Sequence, residues 1–213
     1  MPAPGRFITI EGGEGAGKST QIGRLRDALT ALGLHVTVTR EPGGSVGAEE
    51  IRKLLMGGGV DRWDAVTEAL LVYAARRDHL VRTIWPALAR GDWVISDRFE
   101  DSTRAYQGAG GLDAAAIERL GGVARGDFRP DLTLILDLPV AVGRARAAAR
   151  RGPGDRFEDR GDGFHEKVRE IFLATAAAEP DRCAVIDASP DLETVAAAIA
   201  AAVSLRLGVA LPR

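Results

Sequence analysis

Cysteine is nearly absent, with one residue, Cys183, in 213. That excludes an intrachain disulfide and any metal site built from several cysteines. Standing between "EPDR" and "AVID", Cys183 reads as an ordinary core thiol. Charge of one sign is also lacking. The 28 basic residues are matched by 30 acidic ones, a formal charge of −2. Such a balance argues against a protein that coats nucleic acid or a membrane surface. Long hydrophobic runs are missing too. No uncharged run of transmembrane length occurs, and the Ala-rich segment 195–203 is too short to span a bilayer. "MPAPGRFITIEGG" leaves no room for a secretory core before its glycines. There is no repeat and no dividing linker. One compact cytoplasmic domain over 1–213, without membrane or nucleic-acid partners, is the expectation.

What is present alternates between short apolar runs and longer helical patterns. "FITI" (7–10), "HVTVT" (35–39), "WVIS" (93–96), "LTLILDL" (132–138) and "CAVID" (183–187) predict strands. Most lack two-residue alternation, as strands covered by helices on both faces do. Helical segments are expected near 18–32, 47–56, 65–89, 113–124, 139–150, 163–178 and 191–207. In the third, Val66, Leu70, Tyr73, Arg77 and Leu80 recur at helical spacing. The fold class is therefore α/β, a parallel sheet with right-handed crossovers. Residues 150–163, "RRGPGDRFEDRGDG", stand apart as a surface loop or a catalytic lid.

Gly12-Gly13-Glu14-Gly15-Ala16-Gly17-Lys18-Ser19 satisfies G-x-x-x-x-G-K-[ST] between a predicted strand and a predicted helix. Glycines let backbone N–H groups turn onto phosphate oxygens, and the helix adds its N-terminal partial charge. Lys18 reaches the β and γ phosphates, and the Ser19 hydroxyl can ligate Mg²⁺. The guanine-reading N-K-x-D is absent, and no segment identifies a residue that orients a hydrolytic water. Instead, Asp97-Arg98 ends an apolar strand, where open α/β sheets bind ligands. Asp97 is placed to hold Mg²⁺ through water and Arg98 to clamp a phosphate, unless the two form a buried structural pair.

Together, in this order and spacing, "FITIEGGEGAGKST", "TREPGGS", "LLVYAARRDHL", "DRFEDSTRAYQG", "LDLP" and "RRGPGDRFE" resemble bacterial thymidylate kinases through nearly the whole chain. The resemblance implies a P-loop nucleoside monophosphate kinase fold, a central five-stranded parallel sheet with a mobile lid. It implies transfer of the γ-phosphoryl group of Mg-ATP to dTMP, giving dTDP for dTTP synthesis. It also implies a homodimer, with the apolar side of 65–89 as a contact surface. Gly12 through Thr20 would hold ATP, and Arg144 would stack on adenine or simply be exposed.

For the acceptor, Tyr73 stands where the family has a stacking Phe. Arg77 shares its helix face, and Arg76 and Asp78 are expected to point elsewhere, solvated. Arg77 and Arg98 would bind the dTMP phosphate. Thr103 and Gln107 would reach the base edge, and Tyr106 the 2′ carbon; Ser102 as a helix cap is the plainer reading of this stretch. Arg40, Glu41 and Pro42 are secondary candidates. Glu14 would accept from the 3′-hydroxyl or pair with Arg98 or Arg77. Gly15 leaves the loop without a cation, so the catalytic arginine is expected in the lid. Arg150 or Arg151 is favoured, with Arg156 held by Asp155 or Glu158. "GAGGL" (108–112) departs from the family pattern, one residue shorter and lacking an arginine. The alternatives are another P-loop nucleoside monophosphate or deoxynucleoside kinase, and a P-loop switch or partitioning ATPase.

Overall fold

The computed structural model describes residues 5–149 and 156–211. Its strands are β1 (Phe7–Gly12), β2 (Val36–Arg40), β3 (Trp93–Asp97), β4 (Leu132–Asp137) and β5 (Cys183–Asp187). They form one parallel sheet in the order β2-β3-β1-β4-β5. β1 is central and wholly buried, which is why its run carries no polar alternation. Cys183 is buried, and burial pushes its thiol up to about 11, an unreactive state at neutral pH.

The helices are α1 (Lys18–Ala31), α2 (Val46–Met56), α3 (Ala65–His79), α4 (Trp85–Ala89), α5 (Glu100–Ala109), α6 (Ala114–Arg125), α7 (Val140–Ala148), α8 (Asp162–Ala178) and α9 (Leu192–Leu207). A π-helical turn, Leu80–Ile84, joins α3 to α4. One core packs α1 and α9 on the sheet through Ile22, Leu25, Leu29, Val195, Ile199 and Val203. On the other face, Ile135, Val168, Phe172 and Tyr106 pack α5 and α8.

Two expectations need correction. Residues 100–109 form a full helix, α5, missing from the expected helices because its buried residues are mostly polar. Ser102 does not cap it: the N-cap is Phe99, and the Ser102 hydroxyl is turned inward to Glu11 Oε2 at 2.5 Å. The parallel register aligns Arg40 with Asp97 and Ile10 with Asp97, so β2, β3 and the loop after β1 open on one edge. Open α/β sheets place their ligands outside this carboxyl end.

Candidate active site

A cleft of about 420 Å³ lies over that edge. The phosphate loop forms one wall. Lys18 folds back on it, donating to Gly12 O at 3.2 Å and Gly13 O at 3.0 Å. Burial lowers the pKa of its ammonium and Arg98 adds to the effect, while Glu14, Asp97 and Glu11 oppose it. Gly15 has φ 68°, and a Cβ there would stand 2.0 Å from Gly143 O on α7. The loop tip therefore touches α7 backbone to backbone. Ser19 and Thr20 are exposed and line the cleft.

Arg98 sits between this loop and the far wall. Its backbone is left-handed, φ 71°, the one such non-glycine among the described residues. The guanidinium donates to Gly12 O at 3.0 Å, Ser102 Oγ at 3.1 Å, Glu14 Oε1 at 2.9 Å and the Tyr106 hydroxyl at 3.0 Å. Tyr106 in turn donates to Glu14 Oε1 at 2.9 Å. Burial works against the charge of Arg98, yet Tyr106, Glu14, Asp97 and Glu11 hold its pKa above the ordinary value. Below lies Glu11, fully buried, accepting from Phe99 N at 2.7 Å and from Ser102. Burial, followed by repulsion from Asp101, pushes its carboxyl up to about 8.

The α3 wall is one residue out of register with the expectation. Arg76, not Arg77, faces the cleft, and it is 1% exposed rather than solvated. It donates to Glu41 Oε2, Glu100 Oε2 and Thr103 Oγ1, each at 2.8 Å. Glu41 also meets His79 Nδ1 at 3.0 Å. Arg77 turns away, donating to Ala124 O and lying 5.0 Å over the Trp85 ring. Tyr73 is core, with Ile117 and Ala124, and its hydroxyl donates to Glu100 Oε1 and Ile117 O. Val72, preceding it, is the α3 side chain that lines the cleft beside Arg76. A step of one residue turns a helix by about 100°, so adjacent arginines occupy different environments. Asp78 is half-buried, accepting from the Ser45 hydroxyl at 2.6 Å.

Thr103, Tyr106 and Gln107 all line the cleft from α5. Pro42 and Arg40 line it from the β2–α2 turn, where Arg40 pairs with Glu49 at 3.1 Å. Arg156 is fully buried, donating to Leu55 O, Val60 O and Glu68, so among the described residues Glu68 on α3 pairs with it. Arg150, Arg151 and Asp155 lie outside the described residues. Arg144 is tied to Arg160 O and Asp162 at the start of α8. Arg146, two residues on, lines the cleft and donates to Ala188 O and Ser189 O, fastening the loop after β5. Sequence reasoning missed Arg76 and Val72 as cleft-forming residues, and Glu68 as the buried partner of Gln107 and Arg156. The doubled arginine in "AARRDH" was the available signal for the first.

A phosphate loop faces a second cationic, polar pocket across Arg98, which is the arrangement of a donor and an acceptor site sharing one cleft. The family model for thymidylate kinase matches residues 10–199. The chain belongs to the thymidylate kinase family. It is 60% identical to a thymidylate kinase of Caulobacter vibrioides over 96% of this chain and 99% of that one. It is 54% identical to one of Afipia carboxidovorans, over 99% and 94% respectively. The crystal structure of a thymidylate kinase from Ehrlichia chaffeensis superposes with a TM-score of 0.77 at 32% identity, covering 94% of this chain and all of that one. The sheet and flanking helices are thus those of a P-loop nucleoside monophosphate kinase. Among the described residues no helix is long and apolar enough to cross a membrane.

Proposed function

We propose that this cleft transfers the γ-phosphoryl group of ATP to dTMP, giving dTDP. The observation that carries the reading is Arg98, which spans from the phosphate loop at Gly12 O to the acceptor wall at Tyr106. Gly12 through Thr20 hold the ATP phosphates, with Lys18 at the β and γ groups. Arg98 clamps the acceptor phosphate and aligns its attacking oxygen, and positioning of this kind carries much of phosphoryl transfer. On the acceptor side, Thr103, Gln107 and Arg76 meet the base edge, Val72 lies against the base, and Tyr106 stands where a ribose 2′-hydroxyl would go. Glu14 holds Arg98 and Tyr106 together, the pairing that the observed geometry favours.

The site suits Mg²⁺. Asp97 Oδ1 is buried without a hydrogen-bond partner, and Ser19 is exposed to the same cleft. Among the described residues no cluster of three His, Cys, Asp or Glu forms a dedicated metal cage. Mg²⁺ is commonly held by one or two protein oxygens plus phosphates and water. Ser19 and Asp97 would hold it, and it would neutralise charge on the β and γ oxygens.

The contact between Gly15 and Gly143 leaves no space for a loop side chain, so an arginine from 150–151 is the proposed cation for the transferring group. The molecule acts in the cytoplasm as a homodimer. Val66, Leu70 and Val81 support the dimer: they are 51%, 51% and 42% exposed on the α3 surface and its π turn, an unusual outward apolar stripe. The test of the activity is a coupled ADP-release assay with dTMP, dUMP, UMP, CMP and thymidine. Turnover should be fastest with dTMP and negligible with thymidine, which gives Arg98 no phosphate. Faster turnover of UMP or CMP would point to a different monophosphate kinase.

A further inference from the structure

Resting on the thymidylate reading, one buried carboxylate outside the substrate-contacting set decides what the cleft can recognise. Glu68, on α3, is 3% exposed. Its Oε1 accepts from Gln107 Nε2 at 2.8 Å, and its Oε2 pairs with the buried Arg156. A carboxylate paired to a guanidinium has only acceptors to offer. It therefore binds the NH₂ end of the Gln107 amide and turns the carbonyl end away. Among the described residues nothing donates to Gln107 Oε1, and that oxygen is not sealed away from the cleft its residue lines.

We infer that Glu68 is a positioning residue that locks the Gln107 amide with Oε1 towards the bound base, making the cleft select pyrimidines that carry an N3–H. Thymine and uracil present a donor at N3. Cytosine presents an acceptor there, so its lone pair would meet that of Gln107 Oε1. Thr103 Oγ1 accepts from Arg76, which is fixed by Glu41 and Glu100, so the Thr103 hydroxyl proton is free to donate. An oxygen acceptor on the base, such as O4 of thymine, suits that donor, but the hydroxyl keeps a second lone pair that an amino group could use, so the discrimination rests on the Gln107 amide. Glu68 thus acts through Gln107 rather than on the substrate.

In Glu68→Gln an amide replaces the carboxylate. An amide either donates or accepts, so Gln107 is free to turn over. This variant also strands the buried charge of Arg156, a folding penalty of its own. The decisive comparison is therefore Arg156→Met against the double variant Glu68→Gln/Arg156→Met. The quantity read is the ratio of kcat/KM for dTMP to that for dCMP, with the KM for ATP and the melting temperature alongside. Arg156→Met alone leaves Glu68 a cation, the Arg160 guanidinium 3.8 Å from its Oε2, so the carboxylate still only accepts and the native ratio should hold. The double variant should lower it by roughly 10–100-fold, the scale of one inverted buried hydrogen bond, at unchanged KM for ATP. An unchanged ratio in a folded double variant would overturn the role of Glu68. If the native protein does not itself prefer dTMP, it is the thymidylate reading that fails.

Discussion

Gly15 and Gly143 touch through their backbones: a Cβ on Gly15 would lie 2.0 Å from Gly143 O, and one on Gly143 would lie 2.4 Å from Glu14 O. Each glycine is needed because the other segment is there. The contact sets the phosphate loop against the helix that leads to residue 150.

Gly15→Arg, which would put a cation into the loop itself, should therefore fail. The left-handed backbone alone costs about 1–3 kcal/mol for a side chain, and the Cβ meets a carbonyl that cannot swing aside. A fall in melting temperature together with loss of ATP binding by calorimetry is expected. A stable variant with native ATP affinity would show that α7 can retreat from the loop.

Glu14 carries both Arg98 and Tyr106 on one oxygen. Glu14→Ala should release them and raise the KM for dTMP by roughly 10–100-fold, the worth of a charge-assisted hydrogen bond. The KM for ATP should change far less. Equal effects on the two substrates would place Glu14 on the donor side.

Arg76 and Arg77 are neighbours with opposite consequences. Arg76→Met leaves buried Glu41 without its guanidinium and Glu100 with Arg125 alone, at 3.3 Å, a loss of about 3–5 kcal/mol. Arg77→Ala removes one carbonyl contact and a ring contact at an exposed position, within about 1 kcal/mol. Denaturant unfolding of both variants, with dTMP kinetics on the second, separates them. A large rise in dTMP KM for Arg77→Ala would restore the face that helical spacing suggests.

Burial holds the Glu11 carboxyl up at about 8 in the fold, above an ordinary value of 4.5. The folded chain thus keeps a proton that the unfolded chain releases. Its contribution to stability is complete below pH 4.5, declines as pH rises, and is gone above about 8. Glu11→Gln imitates the protonated form at every pH. Its stability relative to the native protein should increase steadily between pH 5 and 8, as urea midpoints would show. Parallel profiles would mean that Glu11 is ionised in the fold.

Much of the donor half was legible because it is local. The phosphate loop needs only a strand, a glycine-rich turn and a helix start in succession, and all its residues lie within 9–20. β1, β3 and β4 were legible because burial on both faces leaves an apolar run, and the edge strands β2 and β5 by their β-branched residues. The acceptor half was less so. On α3 the usual pattern is inverted: Glu68, Arg76 and His79 are buried while Val66 and Leu70 are about half exposed. Hydrophobic spacing then points to the wrong face, and to Tyr73 and Arg77 with it. On α5 the buried residues include Glu100, Asp101, Ser102, Thr103 and Gln107, so no apolar period marked the helix at all.

The amino-acid sequence by itself determined the α/β class, the phosphate loop and the family, since each rests on residues close together in the chain or on motifs in fixed order. The tertiary structure alone decided which arginine faces the cleft, that Tyr73 packs in the core, and that Glu68 holds Gln107 and Arg156 at once. Those are pairings across 24 to 88 residues between buried charged or amide groups. Buried charges are tolerated only where partners meet them, and the partners are known only when the helices are packed.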